Sequence, residues 1–186
     1  FNIVSRVAES CFIPLTVGGG IKDNEDINNL LKSGADKVSV NSAAVFKPSF
    51  IKKASDSFGC QCIVLAIDAY KDQKNLKSGY NVSTHGGKKK TEIDVLEWAL
   101  EGEKNGAGEI LLTSMNADGT KLGYDIELTS KISSEVSIPV IASGGAGKPI
   151  DMVNVLNEGG ASAVLAASIF HFGIYSIENV KKEMLR

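Results

Sequence analysis

The chain is poor in cysteine, proline, tryptophan and histidine. Its 186 residues include 3 Cys, 4 Pro, 1 Trp and 2 His. Cys11, Cys60 and Cys62 are too few, and odd in number, for the disulfide framework of a small secreted scaffold. Cys60 and Cys62 stand two apart on an expected strand, where they would share a face as reduced core thiols. No His or Cys cluster complements them, so no metal site is expected. Charge of one sign is also lacking. Twenty Lys and Arg against 22 Asp and Glu leave a net charge of −2, and no segment carries the basic stripe of a nucleic-acid binder. No run approaches the ~20 apolar residues that span a bilayer. No signal peptide is expected, and the reduced thiols point to the cytoplasm. What remains is 43% hydrophobic and 23% charged. That composition describes one soluble globular domain over residues 1–186 with a sizeable core.

Short apolar runs alternate with amphipathic helical stretches. Expected strands are residues 13–17, 37–40, 62–67, 109–114, 138–142 and 163–167. Phe1, Val4, Val7, Ala8 and Cys11 recur at helical spacing ahead of the first strand. Between strands, Asp23 caps a helix that Gly34 stops, Pro48 opens another, and Thr91 is expected to cap a third. Pro149 and Ser176 start the last two helices. Residues 69–90 read as a polar, glycine-bearing insertion, either a mobile lid or a solvated hairpin. Continuous apolar strands joined by helices predict a parallel sheet covered on both faces, an α/β fold.

An internal repeat runs through this pattern. Ile13-Pro14, Gly19-Gly20, Asp26, Leu31, Gly34-Ala35, Val38 and Ser42 are matched by Ile138-Pro139, Gly144-Gly145, Asp151, Leu156, Gly160-Ala161, Val164 and Ser168. The offset is about half of a ~250-residue eight-stranded barrel. Two such units would face each other across the barrel mouth.

The chemistry-bearing residues cluster at strand ends. Glycines after a strand let backbone N–H groups surround an anion, and a following helix N-terminus adds a favourable dipole. Gly18–Gly20 with Asn41-Ser42 makes one such cradle, and Ser143–Gly147 with Ala167-Ser168 makes the other. Two cradles imply a long ligand with a phosphate at each end. Asp68 ends the most apolar strand, where its carboxylate suits general acid or base work. Asp118 either binds ligand hydroxyls or makes a turn before Gly119. Lys37 and Glu109 begin their strands at the opposite end and read as a charged rim. Lys88–Lys90 read as a solvated face. His85 and His171 are isolated, and Trp98 reads as helix packing.

The stretches Ile13–Ile21, Gly34–Val45, Ala66–Ala69, Gly106–Ser114, Asp118–Lys121, Ile141–Gly147 and Leu165–Gly173 together resemble the cyclase subunits of imidazole glycerol phosphate synthase. The resemblance implies a (βα)8 TIM barrel of which strands three to eight are present and the first two are missing. It implies an ammonia-dependent lyase of histidine biosynthesis with no cofactor. The substrate would be a bisphosphorylated phosphoribulosyl-formimino aminoimidazole carboxamide ribonucleotide. The partner would be a glutaminase subunit in a heterodimer, and neither nucleic acid nor membrane is involved. Asp68 matches the family's catalytic acid. Gly20, Asn41 and Ser42 match one phosphate site. Asp118, Gly119, Gly145, Ala167 and Ser168 match the other. Lys37 and Glu109 match an ammonia gate, and Asp36 matches the partner interface. The family's second aspartate, at the end of the first strand, has no counterpart here. The sequence is therefore expected to be part of a longer chain, and the 186 residues alone are expected to lack cyclase activity. Related readings are a phosphosugar isomerase, a synthase that amidates a surface-glycan sugar, and a non-catalytic phosphate-binding subunit.

Overall fold

The structure is a computed structural model that describes residues 1–72 and 76–185. Six parallel strands follow one another in the wall: β1 (Thr16–Gly18), β2 (Lys37–Val40), β3 (Ile63–Lys71), β6 (Glu109–Ser114), β7 (Val140–Ser143) and β8 (Ala163–Leu165). Each pairs with its sequence neighbour in the parallel series. The order never reverses, as it would in a doubly wound sheet, so this is the singly wound connectivity of a TIM barrel. Two further strands, β4 (Tyr80–Thr84) and β5 (Lys89–Asp94), form an antiparallel hairpin on the far end of β3.

Helices α1 (Asn2–Ala8), α2 (Asn24–Lys32), α4 (Ser49–Phe58), α5 (Val95–Lys104), α6 (Ile126–Ser133), α7 (Pro149–Asn157) and α9 (Ile177–Met184) surround the sheet, with two short helices, α3 (Ser42–Phe46) and α8 (Ser168–His171). Local chemistry starts them where expected. Asp23 accepts from the N–H groups of Glu25 and Asp26, Pro149 takes the first turn of α7, and Ser176 accepts from Asn179 N–H. The cap of α5 differs from expectation. Asp94 accepts from Leu96 and Glu97, while Thr91 lies within β5 and donates to Val82 O.

The core lies between the strands and their helices. Val38, Val40, Ile63, Leu65, Ile67, Ile110, Leu112 and Val140 face the helices and are buried. Residues of the other face, such as Lys37, Ser39, Leu111 and Thr113, are only half-buried. Complete cover on both faces was expected. Among the described residues, β1 and β8 each have one parallel neighbour, so the inner face is not fully enclosed. The cysteines depart from expectation too. Cys60 and Cys62 form a 3-10 turn before β3 rather than part of the strand, with Cys60 exposed and Cys11 and Cys62 half-buried. Trp98 is buried in α5 as expected.

The segment expected as a mobile lid or a solvated hairpin contains a hairpin whose first strand is buried and whose turn and second strand are largely exposed. Residues 73–75 lie outside the described residues, but Tyr80 to Thr84 are all buried. Most of their polar side-chain groups are paired internally, while Asn81 Oδ1 is buried without a partner among the described residues. Ser83 Oγ donates to Asp68 O, Thr84 Oγ1 to His85 Nδ1, and Asn81 Nδ2 to Asp72 Oδ2. Paired polar groups tolerate burial that a composition reading assigns to solvent. No helix among the described residues is long and apolar enough to cross a membrane.

Candidate functional site

The carboxyl ends of the strands carry nearly all the candidate residues. Parallel register aligns Asp68 with Thr113, Thr113 with Ser143, and Ser143 with Leu165. Side chains in register share a face, so Asp68, Thr113 and Ser143 form a row along the inner mouth. Thr113 was not singled out from sequence. Its signal was available, because Glu109, Leu111 and Thr113 alternate on the inner face of β6.

The internal repeat is realised in three dimensions. After β1, Gly19 and Gly20 take φ values of 97° and 74°, and after β7, Gly144 and Gly145 take 90° and 102°. These left-handed conformations suit glycine because a Cβ is strained there. Each repeat then runs through a long helix and a strand into a short helix beginning at a serine, Ser42 in α3 and Ser168 in α8. Neither short helix was expected.

Two cavities coincide with the two expected cradles. One, of about 800 Å³, is lined by Gly19, Gly20, Asn41, Ser42, Asp68 and His85, with Lys22 and Lys47 at its edge. The second, of about 110 Å³, is lined by Asp118, Gly119, Gly145, Ala167 and Ser168, with Lys121 beside them. Close backbone approach shapes the second. A Cβ on Gly145 would come within 2.0 Å of Gly123 O, whose own N–H donates to Gly145 O at 2.8 Å. A third cavity, of about 410 Å³, lies between α7 and α9, away from the strand ends.

Asp68 sits half-buried beside the larger cavity, where Asn41 Nδ2 donates to its carboxylate at 3.0 Å. Burial raises its pKa above the usual carboxylate value. A hydrogen bond from the Gly87 backbone opposes this, the negative charge of Asp118 adds to it, and the Asn41 bond opposes it again. Desolvation disfavours the charged form, so this carboxyl holds its proton to a higher pH than an exposed one. Asn41 Oδ1 is buried without a partner among the described residues.

The hairpin reaches the same place. His85, isolated in sequence, stands at the turn between β4 and β5, and its N–H donates to Ser42 Oγ at 3.0 Å. His171 is exposed at the end of α8, with its ring edge-on to Phe172. Lys89 and Lys90 are exposed, and Lys90 Nζ lies 4.5 Å from the Tyr70 ring centroid.

At the amino ends of the strands, Lys37 on β2 and Glu109 on β6 form a half-buried ion pair across the base of the sheet. The pair agrees with the charged rim expected of residues that begin their strands at this end. Asp36 is exposed beside them, and its carboxylate accepts from Leu15 N–H at 2.7 Å. These residues are separated by the length of the strands from Asp68. No group of three or more His, Cys, Asp or Glu among the described residues is arranged to hold a metal ion.

Residues 1–176 match the profile of the family described as histidine biosynthesis protein. The chain is 56% identical over 181 residues to imidazole glycerol phosphate synthase subunit HisF of Dehalococcoides mccartyi strain BAV1, covering 97% of this chain and 70% of the relative. The same figures hold for the subunit from strain 195. The subunit from strain CBDB1 is 55% identical over the same span. The chain thus spans about 70% of the length of these curated relatives. With the singly wound sheet, the paired glycine cradles and this level of identity, the chain belongs to the histidine biosynthesis protein family.

Proposed function

We propose that the chain carries the cyclase chemistry of imidazole glycerol phosphate synthase. Ammonia from a glutaminase subunit reacts with phosphoribulosyl-formimino aminoimidazole carboxamide ribonucleotide. The products are imidazole glycerol phosphate and aminoimidazole carboxamide ribotide. The observation that carries this reading is a half-buried carboxylate, Asp68, in a mouth that holds two glycine-built cradles.

The cradles fix a ligand that is phosphorylated at both ends. Gly20, Asn41 and Ser42 take one phosphate. Gly119, Gly145, Ala167 and Ser168 take the other, with Asp118 on adjacent hydroxyls. Holding both ends places the formimino centre beside Asp68 and replaces a costly search of orientations with a bound geometry. Asp68 then acts as general acid and supplies the proton required by the departing ribotide amine. Burial raises its pKa, the direction that favours the protonated form a general acid uses.

The Lys37–Glu109 pair links the amino ends of β2 and β6, and we assign it as the gate through which ammonia enters from the partner side. Asp36, exposed at the same end, contributes to the surface that meets the glutaminase.

Asp68→Asn in the assembled synthase tests the reading. Losing a general acid lowers kcat by about 10²- to 10⁴-fold, measured with ammonium salts as the nitrogen source. The same variant is expected to be more stable than the parent at pH 7. A carboxyl whose folded pKa is raised favours folding fully below its unfolded pKa, and loses that contribution as pH rises through the folded value. Asn removes the residual cost of the buried charge. Unchanged turnover in Asp68→Asn would remove Asp68 from the mechanism. Turnover of a phosphosugar without ammonium would instead support an isomerase.

A further inference from the structure

We propose that His85, at the tip of the β4–β5 hairpin, is a ligand-positioning residue: its backbone N–H turns the Ser42 hydroxyl toward the ligand's phosphate, and its Nε2 hydrogen-bonds that same phosphate. The inference rests on the cyclase reading and adds to it a residue that neither the glycine pattern nor the strand ends pointed to.

The geometry begins with the backbone. His85 has a φ of 57°, one of two non-glycine residues among those described with a positive φ. A non-glycine residue in this region is uncommon and costs about 1 kcal/mol or more. The hairpin turn imposes it, with Gly86 and Gly87 also at positive φ, and the turn brings His85 against the site. His85 N–H donates to Ser42 Oγ at 3.0 Å. A hydroxyl oxygen that accepts from one side keeps its own proton for another partner. Ser42 lines the larger cavity with Gly20 and Asn41, so its proton is left for an anion there. Two residues further on, the Gly87 backbone lies near enough to the Asp68 carboxyl to offset part of the effect of its burial. One turn therefore ties the phosphate cradle to the catalytic acid.

The ring is oriented by a second set of contacts. Thr84 Oγ1 lies 2.9 Å from His85 Nδ1 and 3.4 Å from Lys89 O. The shorter contact takes the threonine proton, so Nδ1 accepts and Nε2 carries the ring hydrogen. That assignment follows from the bonding pattern. The Phe46 ring packs edge-on at a centroid distance of 5.9 Å and restrains the imidazole from its other side. Nε2 is then the nitrogen without a partner among the described residues, on a side chain that lines the 800 Å³ cavity. In the neutral ring of this tautomer it donates its hydrogen to a phosphate oxygen, and it does so in the imidazolium as well. Lys22 and Lys47 line the same cavity and add charge of the sign that a phosphate requires.

Two conservative replacements separate a ligand role from a structural one. The Gln amide nitrogen sits where Nε2 was, and the Asn amide oxygen sits where Nδ1 was. Asn is also the better residue for a positive φ. Steady-state kinetics of the assembled synthase, with ammonium as nitrogen source, are compared for His85→Ala, His85→Gln and His85→Asn. The proposal expects KM for the bisphosphorylated ribonucleotide to rise about tenfold or more in His85→Ala, the range of one hydrogen bond to a charged group, with kcat within about threefold of the parent. His85→Gln recovers most of that KM although Asn suits the backbone better, and His85→Asn does not. An unchanged KM in His85→Ala overturns the proposal, as does rescue by Asn and not by Gln, which would mark the Thr84 contact as the whole role. If a variant is too unstable to assay, the His85 Nε2 resonance in ¹⁵N-labelled parent protein decides, since it must shift when the ribonucleotide is added and stay put if the proposal is wrong. If the parent itself neither binds nor turns over the ribonucleotide, the cyclase reading falls along with this one.

Discussion

Asp94 joins the hairpin to the wall, and its removal has a calculable cost. Its Oδ1 caps α5 by accepting from Leu96 N–H at 2.8 Å and Glu97 N–H at 3.2 Å. Its Oδ2 accepts from Ser78 N–H at 2.8 Å and Ser78 Oγ at 2.9 Å. Only 4% of Asp94 and 1% of Ser78 are exposed, so water cannot take over these bonds. Asp94→Ala removes an N-cap, at about 1 kcal/mol. It also strands the Ser78 N–H in the interior, at about 1–3 kcal/mol. The Ser78 hydroxyl keeps Tyr80 O as an acceptor at 3.0 Å, so it adds little. The sum is about 3 kcal/mol. With a urea m-value of about 2 kcal/mol/M, the unfolding midpoint moves down by about 1.5 M. Asp94→Asn keeps an acceptor for one side only and falls between. Urea denaturation followed by circular dichroism reads the shift. A loss under about 1 kcal/mol for Asp94→Ala would show that the cap alone matters and that the hairpin is not anchored through Ser78.

Further outcomes follow from the glycines and the tyrosines. Gly145→Ala places a Cβ against Gly123 O at 2.0 Å in a left-handed backbone, so it should lose about 3 kcal/mol or more in denaturation and abolish phosphate binding at the second cradle, read by ³¹P NMR. Gly20→Ala meets nothing within 4 Å and should cost only the backbone strain, about 1 kcal/mol. Burial first, then the charges of Asp125 and Asp151 respectively, hold the Tyr80 and Tyr124 pKa values well above the usual phenol range. A group raised in the folded state stabilises below its unfolded pKa and loses that contribution as pH rises, so stability should start to fall near pH ~10. The double variant Tyr80→Phe, Tyr124→Phe should flatten that decline in urea titrations, and an equally steep fall would locate the alkaline transition elsewhere.

Much of the strand and helix plan was legible because its signals are local. Lys37–Val40 and Glu109–Ser114 are strands at the limits expected from their apolar pattern, and the caps at Asp23 and Ser176 follow from side-chain chemistry within one turn. The glycine pairs were legible too, since a left-handed backbone leaves few other choices. The hairpin was not. Its polar strand, Tyr80–Thr84, reads as solvent-facing, and only pairing with β3 and β5 shows that its hydrogen bonds are made inside. The Thr91 cap failed for the same reason, because a threonine ahead of an apolar helix also fits the end of a strand. Cys60 and Cys62 failed on a boundary, where a 3-10 turn over Cys60–Cys62 delays the start of β3 to Ile63.

By itself the sequence determined the succession of strands and helices, the duplicated glycine cradles and the carboxylate near the carboxyl end of the third strand of the wall, which runs on to Lys71 rather than ending at Asp68. Each depends on residues near one another along the chain. Tertiary structure decided the rest. It set the row of Asp68, Thr113 and Ser143 through register between strands far apart in sequence. It paired Lys37 with Glu109 across the base. It carried His85 onto Ser42, 43 positions away. Such meetings depend on the sheet's order and twist, which the spacing of residues along one strand does not encode, so only the folded sheet brings together the residues that complete the site.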